Sequence, residues 1–149
     1  MFNWFRKKEK RIAFIDGDQA ISAYLSAYEK HIANTNTETH LIRIKKLEDA
    51  EPKRLRKIDE KINKIYLEGF TARKEVVDKF IVAYIQKSIA SGYNHITVVS
   101  SDYDFIDIFK MATMLDEKSS NITFRLIIPY AQGRLLELPE KMLNIEIIK

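Results

Sequence analysis

The sequence predicts a three-layer α/β/α domain built around a central, mainly parallel β-sheet. Short apolar runs, typical of strands that are buried on both faces, recur along the chain. They alternate with longer segments in which apolar residues return at helical spacing. Because strands that alternate with helices favour right-handed crossovers between parallel strands, we expect helices on both faces of the sheet.

The first predicted elements are a buried strand at residues 12–15, a helix at residues 20–33 and a strand at residues 40–44. The segment after Pro52 admits two interpretations. A helix is indicated by apolar residues at near-helical steps, which are Leu55, Ile58, Ile62 and Ile65. Residues 64–70 fit a third strand equally well, and both interpretations stay open.

The second half of the chain begins with the clearest helix, from about Lys74 to Ser91, and Gly92 supplies its C-terminal stop. Residues 95–100 are rich in β-branched side chains and predict another buried strand. The remaining predicted elements are a helix with apolar residues from Phe105 to Leu115, a strand at 122–128 and a candidate last strand at 145–148.

Composition narrows the class of protein. The 149 residues are 46% apolar and 31% charged, as in ordinary soluble domains, and the sequence has no cysteine for disulfides, zinc ribbons or thiol catalysis. No apolar run approaches the roughly 18–20 residues that cross a bilayer, and the N-terminal segment does not have the order of a signal peptide. We expect a cytoplasmic protein with a basic, aromatic tail at residues 1–10, one domain at residues 11–149 and no stable membrane anchor.

Two of the predicted strands end in pairs of aspartates. Asp16 and Asp18 follow the first strand, and Asp102 and Asp104 follow the strand at residues 95–100. Open parallel sheets bind ligands outside the carboxyl ends of their strands. Carboxylates gathered there repel one another, and a divalent cation such as Mg²⁺ or Mn²⁺, which prefers oxygen ligands, removes that conflict. Capping of the following helices is the alternative role for these aspartates.

Asp78 is the third candidate of this kind. It lies in the long predicted helix beside the apolar stripe, between Val77 and Phe80. An aspartate within a helix usually faces solvent. Asp78 is therefore a candidate site residue only in combination with the two aspartate-bearing strand ends.

Three segments resemble NYN domains, a branch of the PIN-like metal-dependent ribonucleases. Residues 12–19 look like the first strand of that family with its Asp-Gly-x-Asn ending, and residues 74–78 resemble its Lys-x-x-x-Asp segment. Residues 98–105 are similar to its Ser-x-Asp-x-Asp-Phe signature. The resemblance spans residues 11–130 and implies a PIN-like fold with ribonuclease activity.

Matched position by position, the resemblance implies that Asp16, Asp78 and Asp102 are catalytic carboxylates that hold Mg²⁺ or Mn²⁺. Asp104 would be a fourth metal ligand or a neighbouring group. The accessory residues expected around them are Asp18, Gln19, Ser100 and Ser101. Gln19 departs from the family's asparagine, and the different reach of its amide would alter activity or specificity if that amide orients a site group.

Basic and aromatic residues predict a nucleic-acid surface. Phosphate groups are contacted mainly by lysine and arginine, and aromatic rings stack on unpaired bases. The residues that we expect to bind RNA are Lys53, Arg54, Arg56, Lys57, Lys74 and Tyr103. A solvated helix face is the alternative interpretation of the basic run.

Two other functions stay open. A PIN-like module that binds RNA or protein without cutting is one, and Gln19 supports it. The other is a phosphatase, because the turn after the first strand also resembles the nucleophile motif of haloacid-dehalogenase-type enzymes. In that case Asp16 attacks phosphorus, Asp18 is the general acid, and Asp102 and Asp107 form the distal acidic pair. The ribonuclease resemblance also brings a homodimer, and an antitoxin or another protein partner, into consideration.

Overall fold

The computed structural model describes residues 9–18, 21–44, 61–67, 74–102, 104–115, 122–129 and 145–148. The N-terminal tail predicted at residues 1–10 lies outside them, apart from Glu9 and Lys10. The described elements are β1 (Arg11–Asp16), α1 (Ile21–His31), β2 (Glu38–Ile44), β3 (Ile62–Leu67), α2 (Lys74–Ala90), β4 (His95–Val99), α3 (Asp104–Leu115), β5 (Thr123–Ile127) and β6 (Ile145–Ile148).

The six described strands form one sheet in the order β3-β2-β1-β4-β5-β6, and every neighbouring pair is parallel. The predicted α/β class is therefore confirmed. Strands are added in one direction from β1 to β3 and in the other direction from β4 to β6, so the direction reverses between β1 and β4. In open parallel sheets the crevice at such a reversal is the usual position of a ligand.

Helices cover both faces of the sheet. On one face, Tyr24 and Leu25 of α1 share a buried cluster with Ile15 of β1. On the other face, α2 and α3 contribute Val77 and Phe109 to a second buried cluster. Successive residues of a strand point to opposite faces, so each central strand supplies both cores. The sheet is consequently the middle of three layers.

Gly92 ends α2 as the sequence predicts. Its φ angle of +89° lies in the left-handed region, where glycine is favoured because it has no Cβ atom. The amide of Tyr93 donates to the carbonyl of Ser88 at 3.0 Å, and the amide of Gly92 donates to the carbonyl of Ile89 at 3.1 Å. These two bonds are those of a Schellman motif, which satisfies the last carbonyl groups of a helix.

Of the two interpretations of the segment after Pro52, the third strand is confirmed in the described residues, and the helix is wrong there. Ile62 and Ile65 lie on strand β3, where they pair with Thr39 and Ile42 of β2. A three-residue spacing of apolar side chains is compatible with either structure, and the backbone pairing offered by β2 decides in favour of the strand. The rest of that predicted helix lies outside the described residues. The other described elements agree with the prediction to within two residues at each end.

No helix in the described part of the chain combines the length and apolar character that a bilayer crossing requires.

Candidate active site

The two aspartate-bearing turns lie side by side at the carboxyl edge of the sheet. Asp16 is the last residue of β1, and its side chain is buried, with 2% of the residue exposed. Ile15 of β1 pairs with Val99 of β4, so the chain that leads to Asp102 leaves the sheet next to Asp16. Both aspartates therefore lie at the point where the direction of the strand order reverses.

Gly17 lets the turn after β1 press against β2. Its amide donates to the carbonyl of Ile42 at 2.8 Å. A Cβ atom at this position would lie 2.8 Å from the Ile42 carbonyl oxygen and 2.8 Å from Leu41 Cδ2, closer than real Cβ atoms approach. The sequence marks Gly17 only as a turn residue, whereas the structure requires glycine here because of the neighbouring strand.

Asp18 is engaged in the same turn. Its amide donates to Oδ1 of Asp16 at 3.1 Å, and its own Oδ1 accepts a hydrogen bond from the amide of Ile44 at 3.1 Å. Ile44 is the last residue of β2. The carboxylate of Asp18 thus joins the turn after β1 to the end of the neighbouring strand β2.

Two side chains of the turn after β4 form hydrogen bonds within the turn. The Oγ of Ser100, a fully buried residue, accepts a hydrogen bond from the amide of Asp102 at 3.1 Å. Oδ1 of Asp102 accepts from the amide of Asp104 at 2.9 Å, which is an Asx turn at the start of α3. Asp102 therefore has the local helix-starting role that the sequence leaves open as an alternative. Asp104, the first residue of α3, is exposed.

Asp78 lies near the start of α2 and does not face open solvent. It is the fifth residue of that helix, which follows β3 and so begins at the carboxyl edge of the sheet. The residue is half-buried, and its Oδ1 atom is fully buried. This placement differs from the solvent-facing position that is usual for an aspartate within a helix.

Tyr24 also belongs to this region, although none of the sequence motifs contains it. It is fully buried in α1, its hydroxyl donates to Oγ of Ser101 at 2.8 Å, and it accepts from the amide of Ser101 at 2.9 Å. Burial raises the pKa of Tyr24, the hydrogen bonds with Ser101 lower it, and the negative charges of Asp16 and Asp78 raise it further.

The sequence gives no signal that separates Tyr24 from its neighbour Tyr28. Both residues belong to the apolar stripe of α1, and both are buried. Burial is the cause that raises the pKa of Tyr28, whereas hydrogen bonds and nearby charges also act on Tyr24. Only the fold, which brings α1 beside the turn after β4, distinguishes them.

The carboxylate oxygens at this edge are the kind of ligand that a divalent cation such as Mg²⁺ prefers. Among the described residues, no three histidine or acidic side chains lie close enough together to hold a metal ion by themselves. Mg²⁺ commonly keeps several water ligands and is held by one or two carboxylates together with phosphate groups of the substrate. Asp16 and Asp102, on adjacent strand ends, supply oxygen donors of that kind.

Several residues predicted for the site lie outside the described residues. Of the predicted RNA-binding residues, Lys74 does lie within the described part: it is the first residue of α2, so its backbone lies at the carboxyl edge. The predicted residues that are not described are Gln19, Lys53, Arg54, Arg56, Lys57 and Tyr103.

A cleft of ≈ 620 Å³ lies at the opposite, amino edge of the sheet, where Lys10, Asn36 and Glu38 line it. Acidic and basic side chains are mixed in its lining, and none of the candidate aspartates lines it, that is, Asp16, Asp18, Asp78, Asp102 or Asp104. We place the candidate site at the carboxyl edge because the strand order reverses there and the buried carboxylate lies there.

In comparisons with protein-family models, curated proteins and solved structures, no match to this chain was found.

Proposed function

We propose that this protein is a divalent-metal-dependent ribonuclease of the PIN-like class, which hydrolyses phosphodiester bonds of single-stranded or structured RNA. The observation that carries the proposal is the adjacency of Asp16 and Asp102 at the reversal between β1 and β4. Asp78 supports it, because it lies near the start of α2 with its Oδ1 atom buried, and because its charge, like that of Asp16, raises the pKa of Tyr24. The order of the three motifs along the sequence, which resembles NYN domains, supplies the reaction class.

In this proposal Asp16 and Asp102 hold Mg²⁺ or Mn²⁺, with Asp78 and Asp104 beside them. Such a cation polarises the phosphodiester, lowers the pKa of a bound water and stabilises the charge that develops on the leaving oxygen. The backbone amide of Asp18 donates to the carboxylate of Asp16, and that of Asp104 donates to the carboxylate of Asp102, so both carboxylates are oriented.

The hydrogen bond between Asp18 and Ile44 favours the ribonuclease over the phosphatase. A phosphatase of the haloacid-dehalogenase type needs Asp18 to donate a proton, but Oδ1 of Asp18 accepts a hydrogen bond from a backbone amide. A hydrogen bond donated to a carboxylate favours its ionised form. Asp78, moreover, has a role in the ribonuclease proposal and none in the phosphatase.

Cleavage of a fluorescently labelled single-stranded RNA tests the proposal. We expect wild-type protein to cut the RNA in Mn²⁺ or Mg²⁺ and to stop when EDTA is added. Asp102→Asn should lower kcat/KM at least about a hundredfold, the effect of removing one group that stabilises developing charge. Glu29→Gln is the matched control, because it removes one exposed carboxylate from α1 without touching the sheet edge. Circular dichroism checks that both variants keep the fold.

Two other results would overturn the proposal. Wild-type protein that binds the RNA in Mn²⁺ without cutting it would identify a binding module. Wild-type protein that leaves the RNA intact and hydrolyses para-nitrophenyl phosphate would identify a phosphatase. In that case Asp107→Asn should also remove activity, because Asp107 belongs to the distal acidic pair only in the phosphatase.

A further inference from the structure

We propose that Tyr24 is a positioning residue of the candidate active site: its hydroxyl fixes the turn after β4 and thereby holds the carboxylate of Asp102 next to β1. The inference rests on the proposed function, and it names a residue that the three sequence motifs do not contain.

The turn after β4 consists of Ser100, Ser101 and Asp102, and each of their amides has an acceptor. The amide of Ser100 donates to the carbonyl of Ile127 at 3.1 Å, and the amide of Asp102 donates to Oγ of Ser100 at 3.1 Å. The amide of Ser101 donates to the hydroxyl of Tyr24 at 2.9 Å. The middle amide is therefore held by a side chain from a different layer of the fold.

The phenol of Tyr24 is held in both directions. Its oxygen accepts from the amide of Ser101, and its proton is donated to Oγ of the same residue at 2.8 Å. Two hydrogen bonds to one residue leave the hydroxyl little freedom to rotate, and the ring itself is fully buried. A partly buried amide that loses its acceptor is costly, so the turn would rearrange if this hydroxyl were removed.

Rearrangement of the turn would reach Asp102 directly, because Asp102 is the next residue. Its amide and its carboxylate form the two hydrogen bonds that begin α3, to Ser100 and from Asp104. The negative charges of Asp16 and Asp78 also raise the pKa of the same phenol. Tyr24 therefore contacts the turn that bears one of the three candidate carboxylates.

Tyr28 is a matched comparison on the same helix. It lies one turn after Tyr24, is buried, and lines the cleft at the amino edge beside Glu38. Replacement of either tyrosine by phenylalanine removes one hydroxyl and leaves the ring in place. Only Tyr24→Phe removes a group that contacts the turn after β4.

The test compares Tyr24→Phe with Tyr28→Phe in three measurements. Amide hydrogen exchange followed by NMR, without metal, should be faster at Ser101 and Asp102 in Tyr24→Phe alone. The Mn²⁺ affinity and the kcat for RNA cleavage should each fall about tenfold or more in Tyr24→Phe, as is usual when a group that orients a metal ligand is removed. The KM for RNA should stay unchanged, since Tyr24 is fully buried and its hydroxyl is bonded to Ser101.

Equal exchange rates and equal Mn²⁺ affinities in the two phenylalanine variants would overturn the positioning role. Failure of the proposed function gives a different result, namely wild-type protein that does not cut RNA at all. Hydrogen exchange and Mn²⁺ affinity then still decide the role of Tyr24.

If Tyr24→Phe does not fold, Ser101→Ala replaces it, since that variant removes the acceptor of the Tyr24 proton and keeps the backbone amide. A Ser101→Ala protein with wild-type Mn²⁺ affinity and wild-type exchange at Asp102 would also overturn the role.

Discussion

The carboxylate of Asp18 accepts a hydrogen bond from the backbone amide of Ile44, and this bond joins the turn after β1 to the last residue of β2. The same turn is joined to β2 a second time, through the amide of Gly17 and the carbonyl of Ile42. Asp16, which precedes both residues, is therefore presented from a turn that is fixed on its β2 side. Its other side faces β4 and the turn that carries Asp102.

The first prediction separates the structural role of Asp18 from a chemical one. Asp18→Ala should lower the free energy of unfolding by about 1 kcal/mol, because the amide of Ile44 loses its side-chain acceptor. Asp18→Asn keeps an oxygen at that position and should retain most of the stability. Urea denaturation measures both variants. RNA cleavage by Asp18→Asn should stay near the wild-type rate, and a complete loss of activity in that variant would contradict the structural role.

The second prediction concerns Gly17. Gly17→Ala should destabilise the fold by about 1–3 kcal/mol, because the new methyl group would overlap the backbone of β2. Gly92→Ala is the contrasting variant: it has open space around the new Cβ atom but a strained φ angle, and it should cost about 1 kcal/mol. Urea denaturation ranks the two. RNA cleavage measured on folded protein should fall in Gly17→Ala only, and an equal effect in Gly92→Ala would argue against local distortion of the site.

The sequence predicts that two of the candidate carboxylates lie at strand ends, but it does not predict that these two strands are neighbours in the sheet. An apolar run that ends in aspartate identifies Asp16 and Asp102 as residues at strand ends, since buried parallel strands have that composition. The sequence does not predict that β1 and β4 are neighbours. That relationship is given by the strand order, which no single segment of the sequence contains.

Two further features could not be predicted, for different physical reasons. Ile62 and Ile65 have a spacing that fits a helix or a strand, and only pairing with β2 determines their structure. Tyr24 has the local pattern of a core residue, and its hydrogen bonds are made with Ser101, far away along the chain. Hydrophobic periodicity identifies a buried face, but it does not reveal which hydroxyl on that face finds a polar partner.

The third prediction concerns pH. Burial and the positive charges of Arg11 and Arg125 lower the pKa of His95, and the nearby Glu9 opposes them only partly. The unfolded chain therefore binds more protons than the folded one between the lowered pKa and the ordinary value of 6.5. Stability should rise with pH through this window, be fully present above it and be lost as the pH falls through the lowered pKa.

Thermal unfolding of wild type and His95→Gln between about pH 5 and pH 7 checks this sign, because the variant should show a smaller gain in stability over that range. Burial also lowers the pKa of His31, so some pH dependence should remain in the single variant. Equal slopes for wild type and His95→Gln would contradict the prediction.

The fourth prediction is that Mn²⁺ stabilises the folded protein through Asp16. A ligand that binds only the folded state raises the free energy of unfolding by about 2.7 kcal/mol at a hundred times its Kd. Wild-type protein should therefore unfold at a higher temperature in Mn²⁺ than in EDTA, and Asp16→Asn should lose this shift. Asparagine keeps an oxygen that can accept the bond from the amide of Asp18, so the lost shift reports the carboxylate charge and not the turn. Glu29→Gln, which removes an exposed charge elsewhere, should respond to Mn²⁺ like wild type. An undiminished shift in Asp16→Asn would place the cation away from the carboxyl edge of β1.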